Sequence, residues 1–133
     1  MDTAQNHKSP PGGAKVLIID DDPFIADMYI LKFREEGFDV IAARDGKDGL
    51  AKIREFDPEG VVLDIVMPDM DGFEVLEALR KEGGRKRKIL MLSNLGQKED
   101  IERGMSLGAS DYAIKAHFTP SEVVERVRRM LAS

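Results

Sequence analysis

Val16-Leu17-Ile18-Ile19-Asp20-Asp21-Asp22-Pro23-Phe24 sets the pattern from which the rest of the chain is read. Val16 to Ile19 is an unbroken apolar run, short and rich in β-branched side chains, as expected of a strand buried on both faces of a parallel sheet. It stops at consecutive aspartates, and Asp22-Pro23 then offers a capping residue followed by proline at the first helical position. The same plan recurs along the chain. Val61-Val62-Leu63 stops at Asp64, Ile89-Leu90-Met91-Leu92 at Ser93, and Tyr112-Ala113-Ile114 at Lys115. Parallel strands end on one shared edge of their sheet, the edge where open α/β folds bind ligands. Carboxylates, a hydroxyl and an ammonium therefore converge there, the outline of a phosphoryl and metal site.

The segments between these runs read as helices. Phe24, Ile25, Met28, Leu31 and Lys32 continue with helical spacing up to Gly37, which closes the helix, so its apolar side is expected along Phe24, Ile25, Met28 and Leu31. A strand at 38–43 leads to a helix from about Lys47 to Phe56, with Leu50, Ile53 and Ala51 on its apolar side and Asp57-Pro58 after it. Asp71 and Glu74 form a capping pair for a helix carrying Phe73, Val75, Leu76 and Leu79 and ending near Gly83-Gly84. Asp69 is assigned to the turn before it. A helix from about Gln97 to Leu107 is closed by Gly108, and Thr119-Pro120-Ser121-Glu122 opens the last one. Five strands alternate with five helices, and right-handed crossovers put helices on both sides. The fold expected is a doubly wound, three-layer α/β sandwich around a five-stranded parallel sheet.

A chain of 133 residues makes one domain, able to bury roughly two-thirds of the surface its unfolded form exposes. Residues 1–14, with Ser9-Pro10-Pro11-Gly12-Gly13 and few large apolar side chains, are expected to be a flexible N-terminal tail, and 15–133 the folded domain. Hydrophobic residues make up 42%, charged residues 34%, and the formal net charge is −5. That balance gives no overall basic field, so no nucleic-acid partner is expected. The run Arg85-Lys86-Arg87-Lys88 is the strongest local charge cluster, read as a solvated loop. Cysteine is absent, which excludes disulfides, thiolate metal sites and cysteine nucleophiles, and the two histidines, His7 and His117, lie far apart. No stretch has the length and apolarity to span a bilayer or serve as a secretory signal, so the expectation is a cytoplasmic protein with no membrane partner.

The chemistry follows from charge. Two carboxylates about 4 Å apart repel by roughly 4 kcal/mol at an effective dielectric near 20, and a divalent cation relieves that repulsion. An all-oxygen, carboxylate-rich site formed by Asp20, Asp21 and Asp64 suits Mg2+ better than Zn2+ or Cu2+. Lys115 adds a fixed positive charge, and Ser93 a hydrogen bond to a phosphoryl oxygen. Asp64, standing alone between the acidic pair and the lysine, is the expected nucleophile. Each residue alone has a plain structural reading, a strand-end turn or a helix cap. Their coincidence at four strand ends is what points to a site.

The run Val16 to Asp22, the segment from Val62 through Asp64-Ile65-Val66-Met67-Pro68 to Gly72, Ser93, and Gly108 to Lys115 together resemble the receiver domain of bacterial two-component response regulators. The resemblance extends from about Lys15 to Leu131, with the motifs in the family's order and spacing. It implies a stand-alone, chemotaxis-regulator-like receiver with strand order 2-1-3-4-5. It further implies phosphoryl transfer onto Asp64 from a histidine kinase or phosphorelay protein, or from small donors such as acetyl phosphate. Asp21, Asp64 and the backbone carbonyl of Val66 would then bind Mg2+, and Asp20 would act largely through water. Lys115 would contact the phosphoryl group, while Ser93 and Tyr112 would form the switch that passes the signal to a downstream protein target. The protein would be a monomer or a phosphorylation-dependent dimer, assisting its own phosphorylation and dephosphorylation without being a turnover enzyme.

The sequence departs from the family after Lys115, where Ala116-His117-Phe118 replaces the usual proline and phenylalanine and adds a residue. A cis bond before alanine costs about 3 kcal/mol, so a trans bond with a rebuilt loop is expected, with His117 exposed on it. Val66 and Leu95, two residues after Asp64 and Ser93, are apolar where the family uses polar groups that help water reach the acyl phosphate, which predicts slow self-dephosphorylation. Two other readings fit the same residues. One is a receiver-like interaction module that is not phosphorylated; the other is a haloacid-dehalogenase-type phosphatase, which would use Asp20 as nucleophile.

Overall fold

The computed structural model describes residues 13–133. Strands β1 (Lys15–Ile19), β2 (Asp39–Ala43), β3 (Gly60–Leu63), β4 (Lys88–Ser93) and β5 (Asp111–Ile114) alternate with helices α1 (Pro23–Glu35), α2 (Gly46–Phe56), α3 (Gly72–Glu82), α4 (Lys98–Ser106) and α5 (Pro120–Ala132). The strands form one sheet of order β2-β1-β3-β4-β5, with every neighbouring pair parallel. This is the order that the resemblance implies.

Alternation along each strand divides the interior into two cores. Leu17, Ile19, Val61, Leu63, Ile89 and Met91 face one side, where Leu50 and Ile53 of α2 and Phe73, Val75 and Leu76 of α3 pack against them. Val16, Ile18, Val62, Leu90 and Leu92 face the other, covered by Tyr29 and Phe33 of α1 and by Val123, Val124, Val127 and Met130 of α5. Both faces are dry, which is why these strands have no polar alternation. The caps hold the helices at the lengths the sequence predicts. Asp22 accepts from the amides of Phe24 and Ile25, and Asp71/Glu74 and Thr119/Glu122 make reciprocal capping boxes. Asp69 sits in the turn before α3 with φ of 67°.

Two expectations about boundaries and faces change. Ala14, assigned to the tail, is buried in the second core, and its carbonyl accepts a hydrogen bond from Asp39; the rest of the expected tail, up to residue 12, lies outside the described residues. The apolar side of α1 is also different. Ala26, Tyr29 and Phe33 are buried, whereas Phe24, Met28 and Leu31 are 85%, 45% and 62% exposed. Apolar residues surround this helix, so spacing permits two faces. The sheet takes the aromatic one, where Phe33 packs edge-on against Phe38 with ring centroids 5.1 Å apart.

Phe33→Ala should therefore lower unfolding free energy by about 3–5 kcal/mol. Leu31→Ala should stay within about 0.5 kcal/mol of the parent. Urea denaturation followed by circular dichroism checks both, and similar losses for the two variants would contradict this assignment of faces.

Candidate functional site

Strand register builds the site. Ile19 of β1 pairs with Leu63 of β3, so Asp20 and Asp64 leave the sheet side by side. Leu63 also pairs with Met91 of β4, and Ser93 at the end of that strand pairs with Ile114, one residue before Lys115. Among the described residues, the buried polar or charged side chains are Asp20, Asp64 and Ser93, all at this edge. Asp21, next to Asp20, is exposed.

The Lys115 ammonium lies 2.8 Å from Oδ2 of Asp20 and 3.0 Å from Oδ2 of Asp64. The second oxygens are held by the backbone: the Asp22 amide donates to Oδ1 of Asp20 at 2.9 Å and the Ile65 amide to Oδ1 of Asp64 at 2.7 Å. Carboxylate oxygens of Asp20, Asp21 and Asp64 lie within 4.8 Å of one another. Three carboxylates against one ammonium leave an excess of two negative charges in a largely buried cleft. Oxygen donors only, one of them open to solvent, fit a hard divalent cation that keeps part of its hydration shell. Lys115, expected to stand apart from the acidic pair, bridges Asp20 and Asp64 directly.

Burial pushes the Asp64 carboxyl above the usual aspartate range, opposed by the charge and hydrogen bond of Lys115 and reinforced by the negative charge of Asp20. For Lys115, burial works against the charged form, but hydrogen bonding to Asp20 and the charge of Asp64 outweigh it and raise its pKa. The two upward shifts are compatible because Asp64 shares one ammonium with Asp20 and gains only part of its effect. The ammonium stays protonated and the site is short of positive charge.

A close approach fixes Asp64 from below. A Cβ on Gly72 would fall 2.4 Å from the Asp64 carbonyl oxygen, and the Gly72 amide donates to the Ile65 carbonyl at 2.8 Å. The first turn of α3 therefore rests on the backbone of Asp64. Asp71 is legible in the sequence as a cap, whereas the role of Gly72 is signalled only by the Asp71-Gly72 junction that follows the strand ending at Asp64.

The loop after Lys115 is rebuilt as expected. No peptide bond among the described residues is cis, and Lys115–His117 form a 3-10 turn with His117 exposed. The Ala116 amide, a donor that proline lacks, binds Oδ1 of Asn94 at 2.9 Å. Asn94 was missed because an asparagine after a strand reads as an ordinary turn residue. Ser93 Oγ accepts from the Leu95 amide at 3.3 Å, and the buried Tyr112 hydroxyl donates to the Leu95 carbonyl. Burial pushes the Tyr112 phenol up to about 12, so it remains a donor. Gly104 of α4 leaves room for the ring, its Cβ position lying 3.4 Å from Tyr112. Val66 and Leu95, 61% and 36% exposed, stand beside the cleft.

Residues 16–128 match the model of the response regulator receiver domain. The chain belongs to that family. This receiver domain is 39% identical over 117 residues to the DNA-binding response regulator MtrA of Mycolicibacterium smegmatis, a match covering 88% of the chain and 50% of that protein. It thus spans about half the length of the curated relatives it matches. Among solved structures, the Francisella response regulator 1452 receiver domain superposes with a TM-score of 0.83 at 35% identity, over 90% of this chain and 97% of that one. The Vibrio cholerae chemotaxis protein CheY4 gives 0.82 at 32% identity, over 88% and 98%. These likenesses establish the receiver fold. No helix among the described residues is long and apolar enough to cross a membrane.

One expectation is overturned. Net charge argued against a nucleic-acid partner, yet the relatives are named DNA-binding response regulators. Total charge reports the average field of the matched half, whereas DNA contact needs a basic surface only where the two meet.

Gly72→Ala should cost about 1–3 kcal/mol through overpacking against the Asp64 backbone, and displace Asp64 as well. Thermal denaturation and amide chemical shifts of Asp64 and Ile65 check this; unchanged shifts would show that the close approach is dispensable.

Proposed function

We propose that this receiver domain is a phosphorylation-controlled switch whose Asp64 carboxylate takes a phosphoryl group from the phosphohistidine of a histidine kinase or phosphorelay protein. The observation that carries this reading is a buried aspartate whose carboxylate shares the Lys115 ammonium with Asp20, beside the exposed Asp21. A carboxylate oxygen of Asp64 attacks phosphorus, the P–N bond to the imidazole breaks as the P–O bond forms, and the leaving imidazole regains a proton from solvent. Asp21, Asp64 and the Val66 carbonyl would hold Mg2+, with Asp20 acting largely through water. Bound there, the ion supplies positive charge toward the phosphoryl oxygens.

The chain's own residues do the rest. Lys115 is close enough to Asp64 to follow the new negative charge, and Ser93 can release the Leu95 amide and donate its hydroxyl to a phosphoryl oxygen. Tyr112, bound to the same residue, shifts with it, and the population of conformers around α4, β5 and α5 changes. That surface passes the signal to a partner protein; the DNA-binding relatives bring a DNA-directed output within the proposal. Phe24, Met28 and Leu31 provide exposed apolar surface near Asp21 on which a donor protein can rest.

A loop altered directly after Lys115 would favour a module that is never phosphorylated, but the trans turn leaves Lys115 in contact with both aspartates. A phosphatase using Asp20 is disfavoured as well, since residues 16–128 follow the receiver family throughout.

Incubation with Mg2+ and acetyl phosphate should add one phosphoryl group to the wild type by intact mass, and none to Asp64→Asn or to wild type in EDTA. Modification that persists in Asp64→Asn would overturn the assignment. Decay of the acyl phosphate should be slow, and Val66→Asn with Leu95→Glu should accelerate it roughly tenfold or more by positioning water; an unchanged decay rate would remove these two side chains from the explanation.

A further inference from the structure

The opposite edge of the sheet carries a second concave feature. A cavity of about 520 Å3 opens between the C-terminal ends of α2 and α3, the loop into β4 and the end of α4. It lies roughly 20 Å from Asp64, the length of β4 at about 3.3 Å per residue. Its floor is aliphatic, made by Ile53, Leu76, Leu79 and Ile89. Its rim is cationic, made by Arg54, Arg80, Arg85, Lys86 and Arg87.

Only part of that charge is neutralised. Arg54 pairs with Glu82, and Arg85 and Arg87 both pair with Asp57. Arg80 and Lys86 have no ion-pair partner among the described residues. Five cations against two carboxylates leave a local excess of three positive charges on a chain whose net charge is −5. Arg87 is further short of an acceptor: its Nε is buried without a hydrogen-bond partner. At the mouth, Gly83 and Gly84 adopt φ of 70° and 80°, and a Cβ on either would meet nothing within 4 Å, so no side chain closes the entrance.

We propose that this cavity binds a small phosphorylated aromatic molecule of the nucleotide class. The volume falls within the ~300–1,000 Å3 of small-ligand sites, which combine an apolar lining with a few placed polar groups. Four of the five rim cations are arginines. Guanidinium groups bind phosphate oxygens in pairs and stack on flat rings, which lysine does not do. An aliphatic floor with an arginine rim thus accommodates both halves of such a ligand. A bare inorganic anion would leave the floor unused, and an uncharged aromatic would leave the rim uncompensated.

The test is titration of the full chain with the fluorescent nucleotide TNP-ATP at low salt in EDTA, which removes divalent ions from the acidic edge. Saturable binding with Kd on the order of micromolar is expected, displaced by ATP but not by pyrophosphate or adenosine alone. The double variant R80E/K86E, at two exposed positions, should weaken binding at least tenfold while keeping the parent circular dichroism and acetyl-phosphate modification at Asp64. Methyl NMR should show nucleotide-induced shifts at Ile53, Leu76 and Ile89. Absence of saturation, equal displacement by pyrophosphate, an unaffected double variant, or shifts confined to the Asp64 edge would each overturn the proposal. Its failure would leave the reading of Asp64 untouched, since that site is assayed separately.

Discussion

Two buried carboxylates that share one ammonium are the constraint around which this molecule is organised. Asp20 and Asp64 are neighbours because β1 and β3 are neighbours, and at such spacing their repulsion amounts to roughly 4 kcal/mol. Lys115 directly follows β5, two strands from β3, and reaches both. The observed order keeps the two acids on adjacent strands with the lysine within reach of both. The arrangement is electrostatically incomplete even so, which is unfavourable for folding and serves the proposed binding of a cation and a phosphoryl group. Such departures from the best local solution are expected where function overrides stability.

The architecture adds a long-range component. In a parallel α/β sheet each helix starts near the edge where the preceding strand ends, so the first turns of α1 and α3 lie at the acidic edge, after Asp22 and Asp71. Their partial positive ends face the carboxylates. At the other edge, helix C-termini with partial negative charge meet the basic run that leads into β4. The two edges are opposite in sign, and each is compensated by backbone dipoles that the fold itself supplies.

Strand positions, caps and the four polar strand ends were legible because each is a local signal: an apolar run that stops, an Asp-Pro or Thr-Pro cap, a capping box at Asp71. The buried face of α1 was not, because Phe24, Met28 and Leu31 form as good a stripe as Ala26, Tyr29 and Phe33, and only contact with the sheet and Phe38 decides between them. The Lys115–Asp20 bond was equally out of reach, since it joins residues 95 positions apart through a side chain with many rotamers. Gly72 and Asn94 act through a missing Cβ and one amide acceptor, features that a single sequence does not distinguish from an ordinary turn.

Leu95 joins the hydroxyl of Ser93 to the phenol of Tyr112, since its amide is tied to the first and its carbonyl to the second. The two side chains need no mutual contact to move together. Loosening one tether gives the linker freedom, and the slack is felt at the other end like a shared hinge pin working loose. In the proposed switch, concerted behaviour would then come from a single loop residue, with the strands on either side left still.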